Sequence, residues 1–356
     1  MSEPITVLGT KSKVGKKARP DLSDAELVSL YEEMVRIRIF DRRMLALQRQ
    51  GRIGFYGPVK GQEATIVATW KAADERDWIV PALREGAIAM LRGLPQELAI
   101  AQLIGNDLDV CRGRQMPCHY TLKEGRYVAM SSVIGTQISH ATGLAMAAKY
   151  AKSGEAVLGY LGDGATSAND FHAGLNFAAV FKAPVVFVCQ NNQWSISVPF
   201  EKQTAVDNVA IKASAYGMPG VRVDGNDVLA TYQVVRDALE RAKRGDGPTL
   251  VEAVTYRQLG HSSSDDPTRY RDEGKVADWI AKDPVERYRR FLEHEGLWDE
   301  SKESEFVDRV DGEIAKKVRE AEAASPVSAD SLITDVFHDV DPRLQEHFRI
   351  ATSDPR

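Results

Sequence analysis

The chemistry-bearing residues that stand out are Gly162-Asp163-Gly164 and, further along, Asn191-Asn192. The first group directly follows the apolar run "AVLGYL" (156–161), and the second ends the run that begins "PVVFVC" (184–189). Between them, "NDFHAGLNFAAVFK" (169–182) has the length and periodicity of a helix. Strand, helix, strand at this spacing is a βαβ unit, which places Asn192 beside Asp163 at the same end of a parallel sheet. Glycines without Cβ let backbone amides approach an anion where a strand turns into a helix. Asp163 contributes a carboxylate, Asn192 an amide oxygen, and a nearby main-chain carbonyl completes half an octahedron. Magnesium fills the other half with phosphate oxygens and water. Taken singly, a Gly-Asp-Gly tripeptide is an ordinary turn and paired asparagines an ordinary polar strand end. Their order and spacing point to the cation and anion site.

The elements that must position these residues can be read around them. "DLSDAELVSLYEEMVRIRIFDRRMLALQRQG" (21–51) predicts one long helix, with Leu27, Leu30, Met34 and Ile37 at three- and four-residue steps and Gly51 as its stop. A helix near 228–244 precedes the strand candidate "TLVEAVTYR" (249–257). From Pro284 onward the pattern is helical and strongly charged, with Phe291, Leu292, Leu297 and Trp298 at apolar positions. The reading is an α/β chain with a central, mostly parallel sheet, helices on both faces and a helical C-terminal region. Residues 1–20 carry Lys11, Lys13, Lys16, Lys17 and Arg19 before Pro20 and read as a mobile, solvated tail.

Composition narrows the function classes. With 356 residues, 43% hydrophobic and 27% charged, the chain can bury a large core. A net charge of -5 offers no basic excess for nucleic acid. Runs of eighteen or more apolar residues are absent from the sequence, as is the apolar core of a secretory signal, so no membrane span is expected. Cys111, Cys118 and Cys189 form no CxxC pair, which fits reduced thiols. The expected location is the bacterial cytoplasm, or the mitochondrial matrix if the source is eukaryotic.

"GDGATSANDFHAGLNFAAVFKAPVVFVCQNNQWSIS" resembles the thiamine-diphosphate motif, and its details resemble the alpha chains of 2-oxo acid dehydrogenases. The resemblance runs from about residue 25 to about 345. "GRQMPCHY" (113–120), "SSVIGTQISHATGLAMA" (131–147), "VDGNDVLA" (223–230) and "YRQLGHSSSDDPTRYR" (256–271) look more like the branched-chain type than the pyruvate type. It implies a thiamine-diphosphate-binding fold over residues 21–356, including the helical region at about 284–350. It also implies site residues. Magnesium is held by Asp163, Asn192 and the carbonyl of Trp194, which replaces a usual tyrosine. Gly162, Gly164 and Ala165 meet the diphosphate, and Arg84 grips it; Leu83 stands where a tyrosine is usual, removing a hydroxyl. Gln190 replaces a second phosphate-binding arginine of some relatives, which lowers the positive charge. Ser132 contacts the aminopyrimidine ring, and Ile134 wedges between the two rings. Ser131, Thr136 and Gln137 match oxygen ligands of a structural potassium ion, although the usual proline is replaced by Val133. His261 meets the diphosphate, supplying a proton or a positive field, and assists acyl transfer. Ser262 matches a regulatory phosphorylation position, where added charge would repel the cofactor.

The reaction so implied is oxidative decarboxylation of a 2-oxo acid, with acyl transfer to the lipoyl group of an acyltransferase component. Only one half of a cofactor site is visible in this chain. The resemblance therefore implies a beta subunit carrying the other half, in a heterotetramer of two alpha and two beta chains. The small-residue segment "ATGLAMAAKYA" (141–151) fits a subunit contact or close packing within the chain. Residues 258–275 are expected to be mobile when the site is empty. His119 and His140 carry weaker signals, and His140 reads as structural. Pyruvate and acetoin remain alternative substrates. Two other classes stay open: a non-catalytic member of the same fold, and a nucleotide-binding protein, for which neither GxGxxG nor a P-loop lysine is present near the turn.

Overall fold

Ser23 starts the first helix by a reciprocal cap: Glu26 N donates to the Ser23 hydroxyl, and Ser23 N donates back to the Glu26 carboxylate at 2.9 Å. This helix, α1 (Asp24–Arg49), ends where Gly51 takes a left-handed φ of 71°. Leu27, Leu30, Met34 and Ile37 are all buried on its inner face, as their spacing predicts. The computed structural model describes residues 3–9 and 19–353.

Among the described residues, five strands form one parallel sheet: β1 (Trp78–Val80), β2 (Val157–Gly162), β3 (Val185–Asn191), β4 (Gly220–Asp224) and β5 (Thr249–Val254). Their spatial order is β1-β2-β3-β5-β4. All seven residues of β3 are buried, because the sheet is covered on both faces. Alternation along the strands divides the core. Leu158, Tyr160, Val186 and Val188 join one apolar cluster with α1, α2 (Glu63–Ala72) and α5 (Val228–Lys243). Val157, Leu161, Val185 and Phe187 join another with α3 (Thr136–Ala151) and α4 (Asn169–Val180).

Small residues let α3 lie close to its neighbours. A Cβ on Gly159 of β2 would stand 2.7 Å from Ala141 Cβ, and one on Gly174 of α4 would stand 2.8 Å from Ile138 Cγ2. Packing within the chain thus accounts for the buried face of "ATGLAMAAKYA", while Gly143, Ala147 and Tyr150 on the other face are exposed. Two further helices, α6 (Pro284–His294) and α7 (Glu300–Glu322), close the α1 side of the core through Phe291, Leu292, Trp298, Phe306, Val310 and Ile314. Their apolar residues belong to the same cluster as α1, so they form no separate core.

The N-terminal segment differs from its expectation as a solvated tail. Ile5 pairs in parallel with Val223, and Asp224 N donates to Ile5 O at 2.9 Å, which covers the outer edge of β4. The amides of Val7 and Leu8 both donate to Asp227 Oδ2, at 2.7 and 2.5 Å, and Leu8 is buried. An apolar Ile-Thr-Val-Leu stretch supplies the anchor that the later lysines disguise. Lys11, Lys13, Lys16 and Lys17 lie outside the described residues. Among the described residues, no helix is long and apolar enough to cross a membrane.

Candidate active site

Parallel strands end on one side of the sheet, and ligands of open α/β sheets bind outside those carboxyl ends. Here β1 leads to Ala82–Glu85, β2 to Gly162–Ala165, β3 to Gln190–Asn192 and β5 to Tyr256–His261. Their ends border a cavity of about 380 Å3, within the range that holds a cofactor-sized ligand. Its polar floor includes Arg84, Asp163, Gln190, Asn192 and His261. Phe55, Leu83, Met116, Met130, Ile134 and Ile196 supply apolar wall.

Asp163 opens a short 3-10 turn, Asp163–Ser167, between β2 and α4. Its side chain is 1% exposed, and neither carboxylate oxygen has a partner in good hydrogen-bonding geometry, although the amides of Asp163 and Asn192 are near enough to act on it. Burial pushes its carboxyl up to about 6; the amides of Asp163 and Asn192 and the Arg257 guanidinium pull the other way. Gly164 is required by a close approach, because a Cβ there would run into Ser195. At Gly162 the missing Cβ faces open space, and the residue borders the cavity.

Asn192 is held from two sides. Trp194 N donates to Asn192 Oδ1 at 3.2 Å, while Asn192 Nδ2 donates to Gln62 Oε1 at 3.0 Å. Trp194 begins a small hairpin, and its ring lies 5.3 Å from that of Tyr270 in the loop after His261. Among the described residues, no group of three or more His, Cys, Asp or Glu side chains is arranged for a metal. The available donors are one partnerless carboxylate, one amide oxygen and main-chain carbonyls. That hard oxygen set fits magnesium and lacks the histidine and cysteine ligands that zinc favours.

Arg84 is buried, donating through Nη1 to Pro58 O and through Nη2 to His261 O at 2.9 Å. The same Nη2 stands 3.4 Å from His261 Nδ1. Burial and the nearby Arg257 lower the guanidinium to about 10. Burial, Arg84 and Arg257 together lower the His261 imidazole to about 4, against the raising effect of Asp265. Burial and the two guanidiniums thus disfavour the positive field expected of His261 near neutral pH. With Nδ1 facing the Arg84 N–H, its proton belongs on Nε2.

The reduced charge expected at Gln190 also has a structural partner. Gln190 Nε2 donates to the buried carboxylate of Glu85, which burial raises above its ordinary range. Arg257, absent from the expected set, brings positive charge from another strand end. It is buried, with Nη1 lacking a partner and Nη2 donating to Ile196 O at 2.7 Å and Tyr270 Oη at 2.8 Å. Tyr270 in turn donates to Asp265, which accepts from His261 N at 2.6 Å. These bonds tie the 258–275 loop together, and Ser263 pairs with Tyr56 through its main chain at 2.9 Å. Ser262 Oγ lies 3.1 Å from Ser264 Oγ.

Ser132 and Ile134 both border the cavity, and Ile134 is 64% exposed at its mouth. His119, a weak signal in the sequence, lies 2.6 Å from Ser132 Oγ through Nε2. Its Nδ1 lies 3.1 Å from Pro117 O, so Nδ1 carries the proton and Ser132 donates to Nε2. Of the residues matching a potassium site, Ser131 and Gln137 line the cavity and Thr136 does not. Gln137 Oε1 is buried without a partner, and Ser131 Oγ accepts from Val133 N at 3.2 Å. His140 is exposed on α3 and takes no part.

Sequence reasoning missed Gln62, Glu85 and Arg257. Glu85 adjoins Arg84 and Arg257 lies within the 256–271 stretch, whereas Gln62 belongs to no motif; only the fold brings the three side chains to the strand ends.

Residues 31–329 match the dehydrogenase E1 component family. A pyruvate dehydrogenase E1 component subunit alpha from Staphylococcus aureus is 42% identical over 333 residues, 93% of this chain and 87% of that one. A 3-methyl-2-oxobutanoate dehydrogenase subunit alpha from Mycobacterium tuberculosis is 42% identical over 347 residues, 96% of this chain and 92% of that one.

Proposed function

This chain belongs to the dehydrogenase E1 component family, and from that premise we propose that it is the alpha subunit of a thiamine-diphosphate-dependent 2-oxo acid dehydrogenase that acts on branched-chain acids. The observation that carries the cofactor reading is Asp163: a buried carboxylate with two partnerless oxygens, facing a cavity bordered by Asn192, Arg84 and His261. A carboxylate buried unpaired costs several kcal/mol unless a cation joins it, so the site fits a bound metal better than a structural role.

In this reading Asp163, Asn192 and the Trp194 carbonyl hold magnesium. Gly162, Gly164 and Ala165 leave room for the diphosphate beside the turn. Arg84 and the neutral Nε2–H of His261 donate to its oxygens, and Gln190 stands behind them, bonded to Glu85. Ser132, whose proton is committed to His119, presents lone pairs to an N–H of the pyrimidine ring. Ile134 keeps the two rings apart. Ser131, Thr136 and Gln137 hold potassium, supported by the unpartnered Gln137 oxygen. Bound thiamine diphosphate supplies the nucleophilic carbon and electron sink for decarboxylation.

Met116, Val133, Ile134 and Ile196 are each more than half exposed at or beside the cavity mouth. This apolar rim supports a beta subunit that completes the site in a two-alpha, two-beta heterotetramer. Acyl transfer to a lipoyl group of an acyltransferase component, and a cytoplasmic location, belong to the same proposal. The relatives named for pyruvate and for 3-methyl-2-oxobutanoate are equally identical to this chain, so substrate choice rests on "GRQMPCHY", "SSVIGTQ" and the apolar wall of the cavity.

The test is co-expression with the cognate beta chain, followed by 2-oxo acid-dependent reduction of an artificial electron acceptor. Turnover that requires both chains, magnesium and thiamine diphosphate, and collapses in Asp163→Ala, is the expected result. Faster turnover on pyruvate or acetoin than on branched-chain acids would overturn the substrate assignment. A well-formed assembly inactive on all three would overturn the catalytic one.

A further inference from the structure

Gln62 is completely buried, borders the cavity, and belongs to none of the motifs that mark the site. Its backbone has little freedom. Gly61, just before it, has a φ of 97°, and a Cβ there would run into Tyr256 O. Thr255 Oγ1 donates to Gly61 O at 2.7 Å, and Gln62 N donates to Val59 O at 2.9 Å. Asn192 is pinned to the same stretch of chain, because Arg257 N donates to Asn192 O at 3.2 Å. The two amide side chains therefore meet from backbones fixed against one segment, residues 255–257.

The orientation of both amides follows from one unambiguous donor. Trp194 N–H can only donate, so the atom of Asn192 that it meets at 3.2 Å is the oxygen. The other atom is then Nδ2, and its partner on Gln62 must be Oε1, 3.0 Å away. That leaves Gln62 Nε2, which is buried and has no acceptor anywhere in the chain's described residues. A buried amide nitrogen without a partner is costly, and this one lies on the border of a cavity that also holds a partnerless carboxylate. We infer that Gln62 is a positioning residue for the cation site: it locks the amide of Asn192 with the oxygen toward the metal, and its own NH2 donates to an oxygen of the bound diphosphate.

This inference rests on the reading of Asp163 and Asn192 as magnesium ligands. Outer partners that orient a ligand are typically worth about 10–100-fold in metal affinity. The alpha–beta assembly, freed of metal, is titrated with Mn2+ in the presence of thiamine diphosphate, and the free Mn2+ electron paramagnetic resonance signal reports binding without reference to turnover. Gln62→Leu removes both hydrogen-bonding roles, and binding about 10–100-fold weaker than wild type is expected. Gln62→Glu keeps an oxygen for Asn192 Nδ2 but loses the donor. It should hold Mn2+ within a fewfold of wild type while binding thiamine diphosphate more weakly. If Gln62→Leu does not assemble, Gln62→Met conserves the volume and should show the same loss.

Mn2+ affinity in the apolar variants equal to wild type would overturn the inference, as would Gln62→Glu failing as badly as Gln62→Leu. Wild-type assembly that binds no Mn2+ at all would instead overturn the metal-site reading beneath it.

Discussion

Asp163→Asn removes one negative charge while preserving shape, so it isolates what the buried carboxylate costs. The Asp163 carboxyl sits at about 6 in the folded chain, against an ordinary 3.8, chiefly because burial disfavours its charge. A raised folded-state value means that the folded chain holds the proton more tightly than the unfolded one. The stability contribution of this group is therefore intact below about pH 4, declines through the window to about pH 6, and stays low above it. The difference of about 2 pH units, at ~1.36 kcal/mol each, makes that decline on the order of 3 kcal/mol. Asparagine brings its own cost for a buried amide, of about 1–3 kcal/mol, but that cost does not change with pH. The stability of Asp163→Asn relative to wild type should thus rise by on the order of 3 kcal/mol between about pH 4 and about pH 7. For 356 residues at about 2.1 cal/mol/K each, this corresponds to roughly 4 °C in Tm. Thermal denaturation of chelator-treated protein across that pH range measures it. A second arm adds magnesium with thiamine diphosphate: wild type should be stabilised at neutral pH and the variant should not. A stability difference that is flat with pH, or a variant still stabilised by magnesium, would refute the assignment of a buried, cation-seeking carboxylate.

Three other outcomes follow from the geometry. Gly61→Ala forces an L-residue to a φ of 97° against Tyr256 O and should lose at least about 2 kcal/mol by denaturant unfolding. His261, lowered to about 4, should be neutral from about pH 5 upward, so its carbethoxylation rate, taken by difference from His261→Gln, should stay flat there instead of rising around 6.5. Because that value is depressed, its contribution to stability is complete above about pH 6.5 and is lost as pH falls toward 4. Tyr270→Phe cuts the Arg257–Tyr270–Asp265 link and should speed amide exchange across 258–275, leaving β2 and β3 protected; unchanged exchange would show that the link does not hold the loop.

Most of the frame was legible in the chain because its signals are local. Apolar runs of six or seven residues bounded by turns mark β2, β3 and β5, and steps of three and four residues mark α1. Gly162-Asp163-Gly164 and Asn191-Asn192 could be paired because a βαβ unit commonly lays its two strands side by side in parallel, as β2 and β3 lie here. The N-terminal anchor was hidden because three apolar residues in a short stretch followed by lysines look like any chain end, and their value lies in the bare edge of β4 some 220 residues later.

What the sequence by itself determined is the α/β frame, the strand-end motifs and the types of atoms they offer. Tertiary structure alone decided protonation and orientation. Burial, Arg84 from 177 residues earlier and Arg257 from four residues away disfavour charge on His261, and neither the burial nor the approach of Arg84 is visible in "LGHSSSDD". Asn192 presents its oxygen because Trp194 and Gln62 hold opposite ends of its amide, one two residues away and one 130. Charge energies and hydrogen-bond directions depend on distances through space, and a sequence fixes those only after the sheet has brought its strand ends together.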